Sequence, residues 1–230
     1  MKTTLISYTQ VAPGWYEKLE NIASKPSSLL DIVAFTARVS NPSNQMNIET
    51  SEKLVRYLIK NSHWSPLEMV SACIEIETTR DIAHQILRHR SFSFQEFSQR
   101  YADPTKAFEF EYRETRLQDT KNRQNSIEGA DSETQYAWHV MQENVLREVQ
   151  KAYKWAIENN IAKEQARVVL PEGMTPTRIY MSGTLRSWVH YIDLRSTHGT
   201  QKEHRAVVLG CGDVLIPIFP MIEEFMHGNV

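Results

Sequence analysis

From Val70 to Glu77 apolar and polar residues alternate, with Val70, Ala72, Ile74 and Ile76 on one side and Ser71, Cys73, Glu75 and Glu77 on the other. Successive strand side chains point to opposite faces, so this is a half-buried strand whose apolar face must be covered. Segments of helical period are at hand to cover it. A short strand is expected over 4–8 and a helix over 28–39. A second helix follows Thr50 or Ser51, where Leu54, Val55, Leu58 and Ile59 make one apolar stripe. Both helices should pack on a sheet.

Beyond the strand, Thr78 or Thr79 caps a short helix with Asp81 in its first turn, where a carboxylate suits the helix dipole. A long helix opens on Ser132-Glu133-Thr134-Gln135, a capping-box pattern, and runs to about Asn159. Its stripe is Ala137, Val140, Met141, Val145, Val149, Ala152 and Ala156, with Trp138 and Trp155 expected to pack. A helix over 162–170 ends before Pro171. A strand over 177–181, a helix over 184–194 and a last helix over 200–214 follow, the last stopped by Pro217 and Pro220. Helix dominates, and the fold class is α+β: a mixed sheet packed with several helices, one of them long.

A chain of 230 residues can bury one sizeable core, so one catalytic domain over 1–230 is expected. The one long stretch without apolar periodicity, about 102–130, lacks linker composition and reads as a polar surface excursion. No window approaches the roughly 20 consecutive apolar residues of a spanning helix, and Met1-Lys2-Thr3-Thr4-Leu5 runs into a strand rather than a secretory leader. The expected location is cytoplasmic, with no membrane partner. Cys73 and Cys211 have neither metal-ligand nor disulfide spacing. His198 and His204 are six apart and His84 and His89 five apart, not the spacing that sets two ligands on one helical face, so no metal site is expected. With 26 basic residues and a net charge of -2, any anion site must come from locally concentrated arginine.

That concentration begins at Gln85-Ile86-Leu87-Arg88-His89-Arg90 and continues to Phe97-Ser98-Gln99-Arg100-Tyr101. At about 100° per residue, Gln85, Arg88 and His89 share one arc of a helix, while Ile82, Ile86 and Leu87 share the apolar arc. Arg90 falls within the apolar arc and there needs an anionic or hydrogen-bonding partner. If the chain is extended from Phe94, Glu96, Ser98 and Arg100 line one face and Phe97, Gln99 and Tyr101 the other. Taken alone, Arg-His-Arg at a helix end is solvated charge near the last carbonyls. An RNA-binding surface with interleaved aromatics is a second reading, and the overall charge counts against a nucleic-acid partner.

The triplet, its seven-residue gap to Ser98 and the following Arg100-Tyr101 resemble the signature of the flavin-dependent thymidylate synthases. His63-Trp64-Ser65-Pro66-Leu67-Glu68 resembles that family's His-x-Ser/Thr-Pro-x-Glu segment, and Ala166-Arg167-Val168-Val169-Leu170-Pro171 its Ala-Arg-x-x-Leu-Pro element. Leu185-Arg186-Ser187, Asp193-Leu194-Arg195 and Gln201-Lys202-Glu203 resemble its C-terminal block. The match spans about 60–101 and 165–205.

The resemblance implies reductive methylation of dUMP to dTMP. Methylenetetrahydrofolate would be the carbon donor and FAD, reduced by NADPH or NADH, the hydride donor. It implies a homotetramer with sites shared between subunits. By position, Gln85, Ile86, Leu87, Arg88, Glu96, Phe97, Ser98, Gln99, Arg100, Arg167 and Arg195 would contact dUMP. Ser65, Arg88, His89, Arg90, Glu96, Thr184, Leu185, Arg186 and His190 would contact FAD. Arg195 would be catalytic, polarising the uracil imide. No glycine-rich fingerprint follows a strand, so FAD would not sit in a doubly wound dinucleotide fold. Neither cysteine follows a proline, unlike the nucleophile of folate-only thymidylate synthases. A flavoprotein that oxidises NADPH without methylating anything is the nearest alternative.

Overall fold

The computed structural model describes residues 1–15 and 28–227. The elements are β1 (Lys2–Tyr8), α1 (Leu29–Ala37), α2 (Ser51–Lys60), β2 (Ser71–Thr79), α3 (Arg80–Ile86), β3 (Phe92–Glu96), α4 (Pro104–Ala107), β4 (Leu117–Gln118) and β5 (Ser126–Ile127). They continue with α5 (Ser132–Glu158), α6 (Lys163–Ala166), β6 (Pro176–Thr184), α7 (Leu185–Arg195) and α8 (Lys202–Leu215). The main sheet has the order β1-β2-β6-β3, and β4 pairs with β5 apart from it.

The α+β class holds, but the expected mixed sheet is antiparallel at every pairing. The reason lies in the connections. The crossover from β2 through α3 to β3 makes those two strands parallel, yet β6 inserts between them and pairs antiparallel with each. Serving two neighbours, β6 also runs longer than the 177–181 expected of it. In β2 the alternation acts as expected: Ala72, Ile74 and Ile76 are buried opposite Gly183, Met181 and Ile179 of β6. Helices α1, α3, α7 and α8 close over this face with Val33, Ile82, Ile86, Trp188, Ile192, Val208 and Leu215. Each fully buried Leu or Ile contributes about 1.5–3 kcal/mol, so this layer is the main source of stability. The opposite face carries Glu75, Glu77 and Arg178, with Arg178 Nε donating to Glu77 Oε1 at 2.9 Å.

Helix α5 begins one residue earlier in its capping than the sequence suggests. Asp131 is the N-cap, and its carboxylate accepts from Thr134 N at 2.7 Å. Its stripe also divides. Val140, Val149 and Ala156 face the protein beside Leu146 and Tyr153, while Ala137, Met141, Val145, Ala152 and both tryptophans are exposed. Gln142 is buried on the inward side because its amide pairs with Arg113 N at 2.7 Å and Arg113 O at 3.0 Å. The 102–130 segment is therefore tied back onto the fold. Arg113 also donates to Gly173 O at 3.1 Å and pairs with Asp81 at 2.7 Å, anchoring the segment at the start of α3.

The turn that joins α3 to β3 is set by a close approach. A Cβ on Gly183 would lie 2.4 Å from the Phe92 ring, so only glycine lets Phe92 lie flat on β6. Phe92 then meets Trp188 edge-on at 4.8 Å, and Ser187 Oγ donates to Ser91 O at 3.1 Å. The chain must leave the helix after Ile86 to reach that position. Residues 87–91 are a turn, with His89 N donating to Ile86 O at 3.0 Å. The helical arc expected through Arg90 ends short of it, and Arg90 is exposed rather than directed at the core. The alternation expected through Arg100 also stops early: β3 ends at Glu96 and Tyr101 N turns back to Ser98 O at 3.1 Å.

Candidate active site

The end of α3 and the end of α7 meet at His89 and Arg195, where Arg195 Nε donates to His89 Nε2 at 3.1 Å. An acceptor nitrogen facing a guanidinium must be unprotonated. Burial, then the charges of Arg195 and Arg88, lower the His89 pKa to about 4, so the ring is neutral at pH 7. The ring is further fixed edge-on against Tyr191 at 4.8 Å. The two Nη groups of Arg195 have no hydrogen-bond partner among the described residues. The result is a planar donor edge held from behind by a neutral imidazole.

Beside this pair runs a chain of polar side chains from α3, α7 and α8. Tyr191 OH lies 3.0 Å from His204 Nε2, and His204 Nδ1 lies 3.2 Å from Gln85 Oε1. Gln85 Nε2 donates to Gln201 Oε1 at 2.7 Å, and Gln201 Nε2 donates to Glu203 Oε2 at 2.9 Å. Burial pulls the Glu203 pKa up. Its own backbone N–H, Gln201, Arg116 and Arg113 outweigh that pull, so the carboxyl is held below its ordinary value and ionised. Arg116 Nη2 donates to Glu203 Oε1, and Arg113 Nη1 stands 3.8 Å from the same oxygen.

At the end of β3, Glu96 accepts from Arg80 Nη1 at 3.1 Å and from Thr177 Oγ1 at 3.0 Å. Phe97 stacks edge-on with Phe108 at 5.0 Å. Ser98 Oγ accepts from Arg100 N at 3.4 Å, and Arg100 Nε pairs with Glu164 of α6 at 3.2 Å. Gln99 is 4% exposed and its Nε2 has no partner among the described residues. Arg167, in the 3-10 turn after α6, is half-buried. Ile86 lies wholly in the core, whereas Leu87 beside it is half-buried.

A third group gathers at the start of α7. Thr184 caps the helix by accepting from Ser187 N at 3.3 Å, Leu185 is buried behind it, and Arg186 forms an ion pair with Glu68. Ser65 opens the 3-10 turn that carries Glu68, and the preceding Trp64 packs on His190 at 4.5 Å between ring centres. Arg186 and His190 are four apart and share one face of the helix. Nine residues separate Arg186 from Arg195, about 14 Å along the helix. One helix thus supports two of the three groups.

The arginines divide by partner. Arg80, Arg100 and Arg186 have carboxylates, whereas Arg88, Arg90 and Arg167 have neither a hydrogen-bond nor an ion-pair partner for their side chains among the described residues. An unpaired guanidinium is ready for an external anion. Nothing in the sequence assigns a role to Tyr191, Arg113 or Arg116, and His204 stands out there only for a spacing that does not suit a metal pair. Helical spacing does place Tyr191 four before Arg195, but nothing in the polar run around 113–116 signals that it folds inward. Among the described residues no group of His, Cys, Asp or Glu is arranged to hold a metal ion, and no helix is long and apolar enough to cross a membrane.

A family model described as thymidylate synthase complementing protein matches residues 24–221. The chain is 46% identical over 194 residues to a probable flavin-dependent thymidylate synthase of Paramecium bursaria Chlorella virus 1, covering 84% of this chain and 88% of the relative. It is 46% identical over 201 residues to the flavin-dependent thymidylate synthase of Synechocystis sp., covering 87% and 91%. In fold it is similar to the UMP/dUMP methylase PolB from Streptomyces cacaoi, solved with 5-Br dUMP, with a TM-score of 0.75 at 21% identity over 97% of this chain and 93% of that one. The motifs of the arginine segment, the match along most of the chain and the shared fold agree, and the chain belongs to the flavin-dependent thymidylate synthase family.

Proposed function

We propose that this protein is a cytoplasmic, single-domain enzyme that methylates dUMP to dTMP. Methylenetetrahydrofolate is the carbon donor, and FAD reduced by NADPH or NADH is the hydride donor. The observation that carries the reading is Arg195, whose Nε is held by neutral His89 while its Nη edge has no partner among the described residues. A fixed guanidinium of this kind accepts charge developing on the uracil imide without reorganising during reaction.

The residues present fit a flavin nucleotide. Its pyrophosphate needs cations that are not already paired, and Arg88 and Arg90 are such cations. Trp64 and His190 offer flat rings beside Arg186 and Ser65, suited to an aromatic ligand. When bound, FAD supplies the hydride chemistry, and the protein supplies orientation and charge. Gln85, Arg88, Ser98, Arg100 and Arg167 hold dUMP, with Leu87, Phe97 and the other neighbours in the motif lining it. Glu96 stays fixed by Arg80 and Thr177 between nucleotide and flavin. Ser98 is a positioning hydroxyl, since among the described residues its Oγ meets Arg100 N and no general base. Neither thiol serves as nucleophile: burial raises the pKa of both Cys73 and Cys211.

Self-association as a homotetramer is supported by the outward side of α5, where Met141, Val145 and Trp155 are exposed and Trp155 lines a hollow with Val168 and Val169. A second copy would cover them. The test is anaerobic incubation with FAD, NADPH, methylenetetrahydrofolate and dUMP, with dTMP scored by mass spectrometry. Formation of dTMP that depends on added FAD supports the reading; a flavin-loaded protein that oxidises NADPH and makes no dTMP overturns it.

A further inference from the structure

Of the histidines, all of which are described, His204 alone is buried, at 1% exposure. Its surroundings fix more than packing. Glu203 is ionised and can only accept, so Gln201 must present its N–H to it. Gln201 Oε1 then accepts from Gln85 Nε2, which leaves Gln85 Oε1 facing His204. His204 therefore carries its proton on Nδ1, and its Nε2 accepts from Tyr191 OH. Each link has one donor and one acceptor, and reversing any one of them sets like against like. An amide has two N–H groups and two carbonyl lone pairs. The chain uses one of each on Gln85 and leaves one of each available.

We propose that Tyr191 and His204 are positioning residues that fix the orientation of the Gln85 amide, so that its remaining N–H and lone pair meet the nucleotide in a single arrangement. The proposal rests on the reading that Gln85 holds dUMP. A histidine that merely fills the core would affect stability and leave nucleotide affinity alone. One that acts through Gln85 must lose its effect when the Gln85 side chain is removed.

The experiment titrates dUMP into FAD-loaded enzyme and follows the flavin absorbance, for the parent protein, Gln85→Ala, His204→Leu and the double variant. Gln85→Ala should weaken dUMP binding about tenfold and His204→Leu about fivefold, the loss of one neutral hydrogen bond's worth of order. The double variant should bind no more weakly than Gln85→Ala alone, with FAD affinity unchanged throughout. His204→Asn, whose amide nitrogen can stand where Nδ1 stood, should return binding to within about threefold of the parent. Full dUMP binding by Gln85→Ala would remove Gln85 from the nucleotide site and overturn the functional reading beneath the proposal. Weakening by Gln85→Ala together with no effect of His204→Leu, or with losses that add in the double variant, overturns the proposal itself. If His204→Leu does not fold, Tyr191→Phe keeps the ring and removes only the donor. It should weaken dUMP binding about threefold, and parent-like binding would overturn the proposal.

Discussion

Arg195 Nε and His89 Nε2 stand 3.1 Å apart, the guanidinium donating and the imidazole accepting. The relationship needs a neutral ring, which burial and the neighbouring arginine charges ensure. It also joins the ends of two helices far apart in sequence. His89→Ala should lower kcat for dTMP formation about 10- to 100-fold, the range of one hydrogen bond to a charged group. His89→Gln places an amide oxygen near the same point and should recover much of the loss. Steady-state rates of the two variants check this; equal rates would show that the ring only packs.

The neutral histidines give stability a sign in pH. Burial, followed by neighbouring positive charge, lowers the His89 pKa to about 4 and the His204 pKa to about 3, against 6.5 in the unfolded chain. Between those values the unfolded state binds protons that the folded state refuses, so unfolding is favoured as pH falls. The contribution is complete above about pH 7 and is lost progressively from about 6.5 toward 3. Thermal denaturation scans should show Tm falling between pH 7 and pH 5, and falling less in His204→Leu. A flat Tm across that window in the parent protein would contradict the assignment.

Glu203 balances two arginines that reach inward from the 102–130 segment. Without it Arg113 keeps Asp81 at 2.7 Å, but Arg116 keeps only Glu114 at 3.7 Å, and breaking a buried pair costs about 3–5 kcal/mol. Glu203→Ala should destabilise by that order in urea unfolding and loosen the segment, visible as faster amide exchange around 113–116. A change below about 1 kcal/mol would mean that solvent already serves both arginines.

Gly183→Ala tests the packing that shapes the 87–91 turn. Its Cβ would meet the Phe92 ring at 2.4 Å, and overpacking of this kind costs about 1–3 kcal/mol. Phe92→Leu in the same chain should restore part of the loss. Stability of the alanine variant equal to the parent would show that β3 and β6 part easily.

The strand and helix pattern was legible wherever period and burial agreed, as in Ala72, Ile74 and Ile76 of β2. It failed where tertiary demand overrode local period. Helix α3 stops at Ile86 because Phe92 must reach Gly183, so helical geometry misplaced Arg90. The stripe of α5 could not be divided from sequence, since an apolar residue awaiting a partner reads like one already in a core. Residues of the arginine motif were legible through their likeness to a family. The support behind them was not: Tyr191, His204 and Arg116 act through contacts that close over 13 to 119 positions in the chain.

If Arg195 acts on the uracil ring of bound dUMP, single turnover of Arg195→Ala loaded with FAD and reduced by NADPH reveals it. The expected variant is a folded protein whose flavin is reduced normally and whose dTMP formation from dUMP and methylenetetrahydrofolate falls at least about 100-fold. Formation of dTMP by this variant at the parent rate would contradict that role of Arg195.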